Sequence, residues 1–204
     1  MNTVQEIKAA LQDLALPEKA AFFPRFFKAG KGEYAEGDKF LGVTVPDQRK
    51  VVKEYWNRTS LEEIAELLSS TIHEHRHCAL LMLVNKFDKA NTEKEKKEIV
   101  NFYLKHKKFI NNWDLVDNSA YKILGRHAYE TKDDDLLRTL CREENMWSKR
   151  MAIVATMFHV KRGEFSLLKE LALYNLQHPH DLMHKANGWR LREMGNKNVA
   201  ELQH

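Results

Sequence analysis

Apolar positions along this chain recur at helical rather than strand-like spacing. The opening, MNTVQEIKAALQDL, has helical periodicity and no signal-peptide core. Helix starts recur downstream: Ser60 with Glu63 and Thr92 with Glu95 have the spacing of capping boxes, and Pro46 sits in the first turn of VPDQRKVVKEYW. Only FLGVTV reads as a strand, and one short, isolated strand founds no sheet. The loop before it, GKGEYAEGD, holds Gly30, Gly32 and Gly37. It reads as a mobile surface connection and lacks the Gly-Lys-Ser/Thr ending of a phosphate-binding loop. The expected fold class is all-α.

Four of the helices look like versions of one another: EHRHCALLMLV, WDLVDNSAYKIL, WSKRMAIVATMF and HKANGWRLREM. Each opens with polar residues and then turns apolar, and Arg76, Asp117, Arg150 and Lys185 take equivalent places, at intervals of 41, 33 and 35 residues. Helix-pair repeats of the HEAT kind recur at about 40 residues, so the spacing predicts an α-solenoid of HEAT-like helix pairs with a concave groove. Equivalent positions of successive repeats would converge on that groove. Three cations and a carboxylate there would make a site.

Composition adds bounds. At 204 residues and 43% hydrophobic side chains, the chain is expected to form one domain over residues 1–204, and its few Gly and Pro favour long helices. No apolar run reaches the roughly 20 residues that span a bilayer, so no membrane partner and a cytoplasmic location are expected. Cys78 and Cys141 lie in apolar surroundings and read as reduced core residues. The net charge of +4 is unevenly placed: residues 138–204 hold 11 Lys and Arg against 7 Asp and Glu, whereas residues 1–137 hold 22 of each. That imbalance suits a surface that meets a polyanion, although a solvated basic face would show the same.

The segment NNWDLVDNSA holds the most pointed chemistry. From Trp113 onward, Leu115, Val116, Ala120, Ile123, Leu124 and His127 fall on one apolar stripe. Trp113 and Asp117, four residues apart, share the flank of that stripe, and Asp114 is expected to point toward solvent or the helix end. Asp117 is thus the carboxylate beside the indole, unless Trp113 is core and Asp117 a surface or capping residue. On the last of the repeated helices Lys185, Trp189 and Arg192 alternate cation, aromatic, cation at i, i+4 and i+7. A core face would not carry two cations; a nucleic-acid surface would.

At these residues the chain resembles the AlkD-like DNA alkylation-repair glycosylases. FLGVTVP, NNWDLVD, MWSKRMAIV and KANGWRLRE occur in that family's order, and the likeness runs from about Phe22 to Met194. The resemblance implies HEAT-like repeats, a catalytic Asp117, lesion-facing Trp113 and Trp189, a phosphate-gripping Arg150 and a backbone-contacting Arg192. Arg76 and Lys185 join the DNA-binding set through the repeat register. The implied activity is excision of cationic alkylated purines, N3-methyladenine and N7-methylguanine, from duplex DNA with the base still stacked. No cofactor or metal is implied, and a monomer is expected. Family members usually continue past KANGWRLRE with another basic helix pair, so this chain is expected to be C-terminally shorter, with reduced DNA affinity.

Two other readings stand beside this one. HEHRH, residues 73–77, matches H-E-x-x-H, the helical zinc pattern of metalloproteases. Arg76, set between the histidines and expected to look into the groove, counts against a metal there. The main alternative is a non-catalytic repeat module that binds DNA or protein.

Overall fold

The computed structural model describes residues 2–202. Two compact units divide the chain, Met1–Leu115 and Val116–His204. The first contains α1 (Thr3–Asp13), α2 (Pro17–Phe26), α3 (Val45–Tyr55), α4 (Leu61–Leu68), α5 (His73–Lys89) and α6 (Glu93–His106). Helix α7 (Trp113–Ala120) runs across the division, and a π turn, Tyr121–Gly125, continues it. The second unit contains α8 (Arg126–Thr131), α9 (Asp134–Arg142), α10 (Met146–Ala155), α11 (Met157–Val160), α12 (Ser166–Tyr174) and α13 (Asp181–Lys197), ending in a 3-10 turn, Val199–Leu202. Among the described residues the only β pairing is an isolated parallel bridge from Lys39 to Ile72, so the fold is all-α.

Helix starts lie where the polar signals put them. Ser60 and Thr92 each accept a bond from the backbone N–H three residues on, and Glu63 and Glu95 bond back to them, completing both capping boxes. Thr44 caps α3, with Pro46 in its first turn, where a missing N–H costs nothing.

In the first unit, α5 is the central element, and α1, α3, α4 and α6 pack on it. From Cys78 to Val84 every one of its residues is buried, as a helix enclosed on all sides requires. The strand-like FLGVTV run forms no strand, because a side chain satisfies its backbone: the Glu74 carboxylate accepts from the N–H of Leu41 and of Gly42. Gly42 has φ +83°, and a Cβ there would lie 2.3 Å from the Leu16 carbonyl oxygen, so only glycine fits. The glycine-rich loop differs from its expected character at its far end. Asp38 is half-buried there, with its side chain 7% exposed and ion-paired to Arg76.

In the second unit, α10 has the central place, against α9, α12, α13 and the π turn. Met151 to Ala155 are fully buried. The stripe expected on the helix from Trp113, Leu115 through His127, is buried throughout. Gly125 closes the π turn against α10: a Cβ added there would lie 2.1 Å from the Ala155 carbonyl oxygen. The backbones touch because nothing stands between them. Cys78 and Cys141 are buried free thiols, as expected.

Candidate active site

The two aspartates of NNWDLVD have separate environments. Asp114, expected to point outward, is buried at 8% exposure, and its Oδ2 lies 2.8 Å from Nε2 of His73 on α5. The outward expectation fails because α5 offers a cation at the place where α7 begins. Burial opposes charge on the imidazole, but Asp114, with Asp38 3.7 Å from Nδ1, outweighs it and the repulsion of Arg76, raising His73 to about 9. Burial likewise opposes the charges of Asp114 and Asp38, yet their cationic neighbours hold both below the ordinary carboxylate range.

Other polar groups of this turn are also bonded, although His73 Nδ1 and Arg76 Nε have no hydrogen-bond partner. Arg76 donates to Asp38, to the Ser70 carbonyl and to Asn111 Oδ1, and Asn112 Nδ2 donates to the Phe27 carbonyl. His77 Nδ1 meets Gln48 Oε1 at 2.6 Å. The H-E-x-x-H side chains therefore point to different partners, His73 to Asp114, Glu74 to backbone N–H groups and His77 to Gln48. Among the described residues no group of three or more His, Cys, Asp or Glu is placed to hold a metal ion. Arg76, a sequence candidate for DNA contact, is 3% exposed within this cluster.

Trp113, also in the first unit, is half-buried. Its ring stacks on Phe27 at 5.8 Å and 25°, and meets Phe26 edge-on at 5.9 Å. These phenylalanines were not anticipated as its partners; their F-F-P-R-F-F pattern on α2 is the signal that sequence offers for an aromatic face.

Asp117 belongs to the second unit. Arg150 on α10 grips it with two bonds, Nε to Oδ1 at 3.1 Å and Nη2 to Oδ2 at 2.8 Å, while Nη1 donates to the Leu182 carbonyl at the start of α13. The Arg150 side chain is 5% exposed and that of Asp117 is 13% exposed, so the carboxylate keeps some access to the outside. The repeat register places these residues 33 apart in equivalent positions, and that is the separation across which they bond. A planar guanidinium fork fixes a carboxylate in orientation as well as position.

Helix α13 brings a second guanidinium to Asp117. Arg190 is 1% exposed, among the largest fully buried side chains, and its guanidinium carbon lies 3.8 Å from the centroid of the Trp189 ring. Burial pushes its pKa down to about 10, Asp117 pulls the other way, and Arg150 adds repulsion. Trp189 itself is half-buried. Lys185 is exposed and paired with Asp181 at 2.6 Å, and Arg192 is exposed on the same helix. Arg190 escaped the sequence analysis because it stands one residue off the Lys185, Trp189, Arg192 face. Its signal was available in the buried stripe of Met183, Ala186, Arg190 and Met194, where an arginine interrupts apolar positions.

A carboxylate clamped by one guanidinium, with a second guanidinium stacked on the Trp189 indole, stands on an all-helical frame with further cations on α13. A family model described as DNA alkylation repair enzyme matches residues 7–204, and the chain belongs to that family. Its fold resembles that of a solved structure described as a predicted DNA alkylation repair enzyme from Enterococcus faecalis, 19% identical, with a TM-score of 0.69 over 93% of this chain and 87% of that one. No curated protein matches the sequence. Among the described residues no helix is long and apolar enough to cross a membrane.

Proposed function

We propose that the chain is a DNA glycosylase that hydrolyses the N-glycosidic bond of cationic alkylated purines, N3-methyladenine and N7-methylguanine, in duplex DNA. The observation that carries this reading is the setting of Asp117, a carboxylate oriented by Arg150 and still partly accessible, on the α10–α13 side where Trp189 stands. An alkylated purine of this kind already bears positive charge, so it leaves as a neutral base and needs no acid to protonate it. As the bond from C1′ to the base nitrogen breaks, its electron pair goes to the base and positive charge gathers on the sugar. Asp117 would stabilise that charge electrostatically, the role an anionic carboxylate plays in glycoside hydrolysis. Water then adds at C1′ and gives up a proton. Trp189 would offer an indole face to the cationic sugar. Lys185 and Arg192, exposed on α13, would meet phosphates.

Asp117→Asn tests the reading, because it keeps shape and removes charge. Single-turnover release of free base from N7-methylguanine duplex should fall roughly 10²- to 10³-fold, with duplex affinity held or improved. Equal rates for the variant and the wild type would remove Asp117 from the mechanism. The second reading, a non-catalytic DNA-binding module, draws on the same geometry, since a doubly bonded Arg150–Asp117 pair also serves as a structural bridge. Absence of base release by the wild type across cationic adducts would select it.

A further inference from the structure

The donors of the two arginines beside Asp117 are used differently. Arg150 has Nε and Nη2 on the carboxylate and Nη1 on the Leu182 carbonyl. Arg190 is as deeply placed, yet its Nε has no hydrogen-bond partner, and no hydrogen bond or ion pair reaches its guanidinium among the described residues. Its contacts are the Trp189 ring beneath it and the through-space pull of Asp117, Glu193 and Tyr121, opposed by Arg150. Glu193 lies three residues along α13, half-buried, and forms no ion pair with it among the described residues. Buried polar groups are ordinarily hydrogen-bonded, and an unmatched buried charge is costly to the fold. Asp117 is bonded to Arg150, and neither it nor Glu193 bonds Arg190, whose donors are left unused.

We propose that Arg190 is a binding residue for a phosphodiester of duplex DNA, held on the Trp189 side of the cluster, while Arg150 serves to position Asp117. A phosphodiester is a monoanion with two free acceptor oxygens, matching the unused donors of a buried cation. This moves to Arg190 the phosphate-gripping role that the resemblance gave to Arg150. It also gives Trp189 a structural task, since its ring is the floor that orients the guanidinium. The proposal rests on the DNA reading above but makes a separate claim, that Arg190 is present for its ligand and at the expense of the fold.

Arg190→Met keeps much of the side-chain volume and removes the charge. Binding to a duplex carrying a stable tetrahydrofuran abasic analogue, followed by fluorescence anisotropy across a salt series, should weaken about tenfold or more, with the slope of log affinity against log salt reduced by about 0.9. Melting temperature should hold or rise. Arg190→Lys should keep the slope and lose part of the affinity, because it retains the charge without the planar fork. A drop in melting temperature or failure to fold in Arg190→Met would make Arg190 a structural residue and overturn the proposal. So would unchanged affinity and slope in a variant whose wild-type parent binds duplex. If inorganic phosphate, at matched ionic strength against chloride, displaces duplex from wild type and not from Arg190→Met, the site takes free phosphate and the DNA assignment is lost. Salt-independent or absent binding by the wild type would instead sink the underlying DNA reading.

Discussion

In the first unit the buried cations His73 and Arg76 are each bonded to a carboxylate, whereas in the second Arg150 is so bonded and Arg190 is not. Around α5, Asp114 bonds His73 and Asp38 bonds Arg76, which also donates to Asn111 and the Ser70 carbonyl, while His73 Nδ1 and Arg76 Nε have no hydrogen-bond partner. Around α10 and α13, Asp117 bonds Arg150, while Asp117 and Glu193 reach Arg190 only through space. A cation bonded to a carboxylate holds segments together and asks for nothing more. One left unbonded is stable only because the rest of the fold tolerates it, and it is where a ligand would be received. The two aspartates of one helix, three residues apart, thus have different settings: Asp114 is bonded to His73, and Asp117, in the proposed site, to Arg150.

The largest expected effect breaks the first unit's pairing. Asp114→Asn leaves His73 buried beside one less anion, and unfolding in urea should show a loss of about 3–5 kcal/mol, the usual result of removing one partner from a buried ion pair. If Asp117→Asn proves the more destabilising of the two, the contrast between the clusters is wrong.

The pH dependence sharpens the same point. His73 is raised in the folded protein to about 9, so its contribution is fully present below about 6.5, the ordinary histidine value, and is lost as pH rises through 9. Stability should therefore decline from neutral pH toward 10 by an amount on the order of a few kcal/mol. Asp38 and Asp114 are lowered, so their contributions are present above the ordinary carboxylate range and vanish as pH falls below it. Thermal melts from pH 6.5 to 10 should show the alkaline decline in wild type and a much flatter curve in Asp114→Asn. A flat wild-type curve would mean that His73 is neutral.

The smallest effect tests the second unit. Asp117→Asn takes an anion from beside two guanidinium groups, and adding Arg190→Met removes one of them. In a double-mutant cycle of stabilities the second change should recover part of the loss from the first, a coupling of about 1 kcal/mol. Additive losses would mean that Arg190 and Asp117 do not feel one another.

Much of the fold was legible because its signals are local. Capping boxes, the first-turn proline and the stripe from Leu115 to His127 all depend on spacing within one helix, and all are present. The repeat register put Asp117 and Arg150 in equivalent places but did not pair them, and their bond was not anticipated. What spacing could not supply was the identity of partners far along the chain. Asp114 looked outward because its partner, His73, is 41 residues away, and Asp38 looked like part of a loose loop because Arg76 is 38 residues away. Arg190 was passed over for a geometric reason. A face alternating cation and indole is the more conspicuous pattern, and a cation in the buried stripe is the rarer and more informative sign.

The HEHRH turn of α5 is tied to four other places in the chain: Asp114 and Asn111, Asp38, the Leu41–Gly42 backbone, and Gln48. Those ties constrain how the sequence can drift. Replacing His73, Glu74, Arg76 or His77 alone orphans a group on another segment, so these positions are free to change only in company with residues 29 to 41 places away. A pattern that looks like a zinc motif is, in this chain, a fastening for the segments it holds.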